Sequence, residues 1–225
     1  MSRHVVVQHI DRVAADVLKG LADEGTSTVH EADGRRGAFT PELRPIQSGA
    51  RIAGSAVTVS CHPGDNLMIH AAVETVRPGD VVVVTTTSPS TDGMLGDLLA
   101  TSLRAHGAVG VILDAGVRDA AELREMGFPV WARAISPQGT VKASPGSVNV
   151  PVVLCGQVVE PGDAIVADDD GIVVIPFSRA EAVVKKAQAR TANEAAKRER
   201  LAAGELGVDM YQLRPLLEQL GVEYR

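Results

Sequence analysis

Three side chains of this sequence combine reactive chemistry with suggestive spacing: Asp97, Arg118 and Asp119, at the two ends of GDLLATSLRAHGAVGVILDAGVRD, residues 96–119. Twenty residues separate Asp97 from Arg118. That interval fits a helix followed by a buried strand, which lets both ends return to one pocket at the mouth of an α/β sheet, where ligands tend to bind. An acid, a guanidinium and a second acid in one pocket suit a metal cation and an anionic substrate.

Each residue also has a purely structural reading. Asp119, followed three positions later by Glu122 and then by apolar residues, matches an acidic version of a helix capping box. Asp97 follows Gly96 at the start of a helical stretch, where the helix dipole alone favours an acid. Their convergence on one side of a sheet favours a site. There Asp119 would offer a hard oxygen ligand to Mg²⁺ or Mn²⁺, cations that keep several waters and need few protein ligands. Arg118 would bond the keto oxygen of a 2-oxo acid as it becomes an enolate. The free N–H groups of Leu98 and Leu99, just after Gly96, would cradle the substrate carboxylate, and Asp97 would orient a metal-bound water. Electrostatic stabilisation of an enolate is what carbon–carbon cleavage beside a pyruvate unit requires.

The elements that position these residues are legible from periodicity. IDRVAADVLKGLADEG carries apolar residues at helical spacing, with Gly25 as a stop, and 27–54 reads as a polar stretch punctuated by Gly and Pro. AVTVS (56–60) alternates as a strand, HPGDNLMIHAAVETVRPGD reads as turn, helix and turn, and VVVVTTT (81–87) as a buried strand. SPSTDGM is expected as a loop leading to Leu95-Gly96-Asp97; LLATSLRAHG is then a helix, VGVILDAG a strand, and VRDAAELREMG a short helix ending at Gly127. PVWARAIS and VNVPVVLCGQVV continue the β pattern, and AIVADDDGIVVIP forms a hairpin about Asp-Gly. From Ser178 to Ala203 a long charged helix is expected, with Ser178 as N-cap, Glu181 completing a capping box and Gly204 ending it.

Composition narrows the function. The 225 residues suit a single domain, 1–225, in which 178–225 is expected as a helical tail that could pack on the body or at a subunit interface. Aromatics make up only 3% and the net charge is −6, which disfavours nucleic acid as a partner. No run approaches the ~20 apolar residues of a membrane helix, and MSRHVVVQHIDR lacks a signal-peptide hydrophobic region, so a cytoplasmic protein with two reduced thiols, Cys61 and Cys155, is expected.

With these residues in place the chain resembles the class II pyruvate aldolases that split 4-hydroxy-4-methyl-2-oxoglutarate or 4-carboxy-4-hydroxy-2-oxoadipate, within the RraA-like superfamily. That family's pattern is Asp, twenty residues, Arg-Asp, two residues and an acid, which Asp97, Arg118, Asp119 and Glu122 fit at every position. The likeness extends through RIAGSAVTV, PGDNLMIHAAVE, RPGDVVVV, GFPVWAR and PGDAIVADDDGIVVIP. It implies a layered α/β fold of the swivelling β/β/α, phosphohistidine-domain-like type with a long C-terminal helix. It further implies Asp119 as metal ligand for Mg²⁺ or Mn²⁺, Arg118 on the pyruvyl oxygen, Asp97 in the water network, and the backbone from Gly96 to Leu99 on the carboxylate. Oxaloacetate decarboxylation through pyruvate enolate, assembly as trimers or hexamers, and a C-terminal-helix glutamate reaching a neighbour's site also follow from the resemblance. Glu194 is the candidate, with Glu181 and Glu199 as alternatives.

The RraA branch, which binds and inhibits a ribonuclease without being an enzyme, is the alternative; it lacks the acid after the arginine, so Asp119 favours the enzyme. Other signals are weaker. ADDDG (167–171) reads as a turn rather than a calcium loop, His62 and His70 form no metal motif, and Asp65-Asn66 initiates a helix in a loop able to face the pocket. No P-loop or GxGxxG is present, so nucleotide chemistry has no support. Of five lysines only Lys142 lies off a helix as a Schiff-base candidate, and Arg35 and Arg36 are conceivable contacts for a second substrate carboxylate.

Overall fold

The computed structural model describes residues 4–225; residues 1–3, the start of the segment read for a leader, lie outside it. The strands are β1 (Arg44–Pro45), β2 (Ile52–Cys61), β3 (Asp80–Thr86), β4 (Gly93–Leu95), β5 (Gly110–Val117), β6 (Val130–Ile135), β7 (Ser147–Val148), β8 (Val152–Leu154), β9 (Gln157–Val159), β10 (Ala164–Ala167) and β11 (Ile172–Ile175). The helices are α1 (Ala15–Ala32), α2 (Leu67–Ala72), α3 (Asp97–Ala105), α4 (Ala120–Glu125), α5 (Ala180–Ala202), α6 (Gly207–Met210) and α7 (Arg214–Gln219). Two compact units follow along the chain, one ending at Ala187 and the other spanning Gln188–Arg225.

In the first unit, nine strands among the described residues form one mixed sheet in the order β1-β6-β5-β3-β2-β10-β11, with β4 added to β5 and β7 to β2. Its centre, β2, β3, β5 and β6, is parallel, while β10 and β11 form the expected antiparallel hairpin. The run VVVV in β3 shows why the sheet is covered on both sides. Val82 and Val84 pack with Ile69, Leu99, Leu103 and Leu123 of the helical layer, whereas Val81 and Val83 pack with Trp131, Val152 and Ile165 on the opposite face. Alternation of side chains along a strand, with both faces buried, makes every position of such a run apolar. A third cluster joins Leu18 and Leu21 of α1 and Val183 and Val184 of α5 to Val166 and Ile175 of the hairpin.

Two expected helix boundaries are corrected. Gly25 is a break (φ 77°, ψ 168°) inside α1, and helix resumes beyond it to Ala32. The resumption is capped by Asp168, whose carboxylate accepts the Thr26 N–H at 2.8 Å and the Thr26 hydroxyl; a side chain at position 25 would press on that carboxylate, its Cβ 3.0 Å from Oδ2. The long helix, in turn, enters through a 3₁₀ turn, Phe177–Arg179, whose N-cap position is Pro176, so Ser178 lies inside the turn instead of capping it. Asp163 supplies the acceptor instead, taking the Phe177 N–H at 2.9 Å. The turn acids of ADDDG are consumed structurally: besides Asp168, Asp169 accepts from the Gly49 N–H and Asp170 from the Ser27 hydroxyl.

In the second unit the chain turns at Gly204 after α5 and is tied by Arg200–Glu205 at 2.5 Å, by Arg214–Asp209, and by Lys197 stacked over the Tyr211 ring at 5.3 Å. Among the described residues no helix is long and apolar enough to cross a membrane.

Candidate active site

The strand unseen in the sequence creates the pocket. Gly93 and Met94, expected as the end of a loop, join Leu95 in β4, which pairs in parallel with the end of β5, Leu95 opposite Val117. The Arg118 N–H then donates to the Leu95 carbonyl at 2.9 Å. Two parallel strands therefore end side by side, and the next residues of each, Gly96-Asp97 and Arg118-Asp119, emerge together. Gly116 allows the preceding loop to lie this close, since a Cβ there would meet the Thr91 carbonyl oxygen at 2.0 Å.

Asp119 occupies the N-cap position of α4 but does not cap it. Its backbone is left-handed (φ 53°, ψ 42°), a conformation in which Asp is among the few tolerated non-glycine residues. The capping-box expectation is corrected accordingly: the side chain turns to α3, where Oδ2 accepts the Asp97 N–H at 3.2 Å and lies 3.4 Å from Arg118 Nε. Gly96 is required at this crossing, because a Cβ would sit 2.3 Å from Asp119 Oδ2 and 3.0 Å from Arg118 Nε. The Arg118 and Asp119 side chains are 45% and 31% exposed, so the ion pair is solvent-screened and both groups remain open to a ligand. The N–H groups of Leu98 and Leu99 find no acceptor among the described residues, as the first turn of a helix leaves them.

Gly96, Asp97, Leu98, Leu99, Arg118 and Asp119 line one pocket of about 140 Å³. Asn66, His70, Thr140 and Lys142 complete its wall. None of these four is a site residue in the motif reading, and the signals for them were the PGDN turn and Lys142 as the one lysine off a helix. Buried Asp65 holds this wall together: its carboxylate accepts the N–H groups of Leu67 at 2.9 Å, Ala143 at 2.8 Å and Ser144 at 2.6 Å, binding the start of α2 to the 138–146 loop. Although burial opposes it, these donors hold the Asp65 carboxyl below its ordinary pKa. His70 is lowered by burial and by the charge of Lys142. The Asn66 amide donates to the Met94 carbonyl at 3.0 Å.

Other candidates fall elsewhere. Arg35, in the turn after α1, pairs with Glu31 of that helix, and neither Arg35 nor Arg36 lines the pocket. Glu194 belongs to the second unit, where it pairs with Arg190 at 2.8 Å, and Glu181 and Glu199 are exposed on α5. Cys61 and Cys155 are separate buried thiols whose pKa values burial raises to about 12 and about 11, which removes them as nucleophiles at neutral pH.

Two carboxylates of this chain, Asp97 and Asp119, line the pocket where a cation could be held. Among the described residues no group of three or more His, Cys, Asp or Glu side chains is disposed around a metal position. Asp119 nevertheless fits a hard cation: Oδ1 accepts no hydrogen bond among the described residues, and Mg²⁺ or Mn²⁺ is held by one or two carboxylates and water.

Fold and pocket together define a mixed α/β protein with a pocket at the carboxyl ends of parallel strands, the place where such sheets tend to bind ligands. The chain belongs to the RraA-like (Aldolase/RraA) family, which it matches over residues 15–174. It is 30% identical over 173 residues to a protein of Halalkalibacterium halodurans named "Putative 4-hydroxy-4-methyl-2-oxoglutarate aldolase", covering 77% of this chain and 82% of that one. A protein of the same name from Burkholderia multivorans is 37% identical over 143 residues, 64% of this chain and 87% of its own. Among solved structures, Streptomyces coelicolor RraAS2, described as an unusual member of the RNase ES inhibitor RraA family, superposes with a TM-score of 0.75 at 30% identity, covering 84% of this chain and 99% of that one. The RNA-processing inhibitor RraA of Thermus thermophilis gives 0.62 at 30% identity, over 67% of this chain and 92% of its own.

Proposed function

We propose that this protein is a divalent-metal-dependent lyase that cleaves 4-hydroxy-4-methyl-2-oxoglutarate or 4-carboxy-4-hydroxy-2-oxoadipate to pyruvate, and that it also decarboxylates oxaloacetate. The observation that carries the reading is the crossing of Gly96-Asp97 with Arg118-Asp119, which brings an open carboxylate, a guanidinium and two unpaired backbone donors into one pocket. Aldolase names among relatives at 30–37% identity support the reaction class.

The roles follow from chemistry. Asp119 holds Mg²⁺ or Mn²⁺, which supplies Lewis-acid charge to the reacting 2-oxo acid. Leu98 and Leu99 donate their N–H groups to the C1 carboxylate, at the positive end of the α3 dipole. Arg118 donates to the keto oxygen and keeps that bond as the oxygen gains charge, which lowers the barrier more than it tightens substrate binding. In the retro-aldol direction the C4 hydroxyl gives its proton to a base, its oxygen becomes the carbonyl of the second product, the C3–C4 bond breaks, and that bond's electrons pass into the pyruvate enolate, which takes a proton at C3. Asp97 holds a water at the pocket edge. Glu194 reaches the pocket of a neighbouring subunit in a trimer or hexamer, and the protein works in the cytoplasm.

The RraA-type reading, a ribonuclease-binding regulator, is supported by the likeness to the Streptomyces and Thermus proteins. A coupled pyruvate assay with the hydroxy-oxo acid and with oxaloacetate, each with and without EDTA, separates the two. Pyruvate release that EDTA stops and Mg²⁺ or Mn²⁺ restores supports the lyase; metal-free ribonuclease binding with no pyruvate release supports the regulator.

A further inference from the structure

Residues 136–146, which bring Thr140 and Lys142 to the pocket, run from β6 to β7 without a helix or strand of their own. Asp65 braces the middle of this loop. Its far end depends on β7, which is only two residues long. The buried Val148 shows what holds β7 in place: both of its polar backbone groups bond to the N-terminal arm, residues 4–14. Its N–H donates to the Val5 carbonyl at 2.8 Å, and its carbonyl accepts the Val7 N–H at 3.1 Å. The neighbours on either side add two ties. Ser147 Oγ accepts the Val5 N–H at 3.2 Å, and the Asn149 amide donates to the Val7 carbonyl at 2.8 Å. If the arm left, buried main-chain groups of Val148 would lose their partners, which a folded segment does not readily tolerate.

The arm has few other holds. Gln8, His9 and Asp11 are exposed, and Val6 and Ile10 are half-buried against the core of the helical layer. Its anchor is Arg12. Arg12 Nε and Nη2 each reach one oxygen of Asp80 at 2.9 Å, and Nη2 also donates to the Thr75 carbonyl at 3.0 Å. Asp80, at the start of β3, is 1% exposed and also accepts the Arg77 N–H at 2.8 Å. A carboxylate buried to that degree needs a hydrogen-bonded cation, and a forked guanidinium fixes direction as well as distance. The next residue completes the anchor, as the Val13 N–H donates to the Ser55 hydroxyl of β2 at 3.0 Å.

We infer that Arg12 is a positioning residue for the pocket: the Arg12–Asp80 clamp seats the N-terminal arm on β7, and the arm fixes the end of the loop that carries the Thr140 and Lys142 wall. Arg12 does not line the pocket, so it acts only through this chain of contacts. The packing where the loop enters β7 shows how a displacement would travel. A Cβ at Gly146 would stand 2.0 Å from the Ser60 carbonyl oxygen and 3.0 Å from Met68 Cγ. The loop is therefore pressed between β2 and α2, the helix that carries His70 of the same pocket. Loss of the clamp frees the arm, the arm frees β7, and the wall moves against a helix that also lines the site. The inference rests on the lyase reading for its effect on turnover, and not for its effect on the loop.

Amide exchange followed by NMR reads the loop directly in the full-length wild type, Arg12→Met and Arg12→Lys. Ile165→Ala, in the core on the opposite face of the sheet, serves as a control destabilised elsewhere. In Arg12→Met the amides of Ala143, Ser144 and Val148 should exchange about ten- to hundredfold faster, and in the control within about threefold of the wild type, because local openings respond to local contacts. Arg12→Lys keeps the cation and should restore part of the protection. His70 supplies a second reading: the charge of Lys142 helps to lower its pKa, so a loosened loop should raise it in Arg12→Met and not in the control. Pyruvate release should fall at least about tenfold in Arg12→Met and stay within about twofold in Ile165→Ala. Val7→Pro removes the N–H that the Val148 carbonyl accepts and repeats the test if Arg12→Met does not fold. Unchanged exchange at Ser144 and Val148 overturns the inference, as does equal acceleration of these amides in the control, or full activity in a variant whose loop has loosened. If the loop responds as expected but even the wild type releases no pyruvate, the lyase reading fails and the positioning of the wall by Arg12 stands.

Discussion

Asp119 Oδ2 accepts the backbone N–H of Asp97 at 3.2 Å, so the carboxylate caps the helix of the other half of the motif instead of its own. One atom thereby ties together two segments 22 residues apart and faces Arg118 at the same time. The two readings of Asp119, structural cap and functional ligand, consequently make different forecasts.

Asp119→Asn keeps a side-chain oxygen for the Asp97 N–H and a residue that tolerates the left-handed backbone, but removes the charge a cation needs. Metal-dependent pyruvate release should fall about 10²- to 10³-fold while the melting temperature moves by less than about 4 °C. Full activity in the coupled assay would sink the ligand role; a collapsed melting temperature would return Asp119 to structure.

Gly96→Ala places a methyl group where Asp119 Oδ2 stands 2.3 Å away and Arg118 Nε 3.0 Å away. The two side chains must separate, at about 1–3 kcal/mol of overpacking. Activity should drop at least about tenfold, because small misplacements of positioned groups have large kinetic effects. Denaturant unfolding and the pyruvate assay read the two consequences separately, and a variant normal in both would remove the close crossing.

Asp65→Asn tests the brace of the pocket wall. The variant exchanges an acceptor-only carboxylate for an amide that faces three N–H donors, and stability should fall by about 2 kcal/mol, with faster amide exchange at Ala143 and Ser144. The sign with pH follows from a folded-state pKa below the unfolded value of about 3.9. The carboxylate's contribution is complete above the unfolded value and disappears as pH falls through the folded one. Urea midpoints between about pH 2 and 7 should therefore fall on acidification less in Asp65→Asn than in the wild type; parallel curves would contradict the assignment.

Lys142→Met should raise the His70 pKa without returning it fully to its ordinary value, because the charge of Lys142 is the lesser cause of its lowering and burial the greater. An NMR titration of the His70 ring protons reads this directly. An unchanged titration would place the lysine too far from His70 to share a wall with it.

Local features were legible in the sequence because their causes are local. The apolar run of β3, the Asp-Gly hairpin of β10 and β11, the helices flanking the motif and the twenty-residue interval from Asp97 to Arg118 all follow from side-chain period and turn chemistry within a few residues. The sequence also identified Gly96, Asp97, Leu98, Leu99, Arg118 and Asp119 as a group, and the structure gathers them in one pocket. Contacts between distant segments decided the rest. Gly25 interrupts α1 without ending it because Asp168, over 140 positions away, caps the next turn. Gly93–Leu95 becomes a strand only because the end of β5 offers it a ladder. Asp119 turns from α4 to α3 because its backbone is left-handed and β4 has brought the Asp97 N–H within reach. Lys142 joins the pocket because Asp65, 78 and 79 positions from the amides it binds, holds the loop there. Periodicity fixes which face of an element is apolar, but which remote donor meets which acceptor is set only when the sheet closes around them.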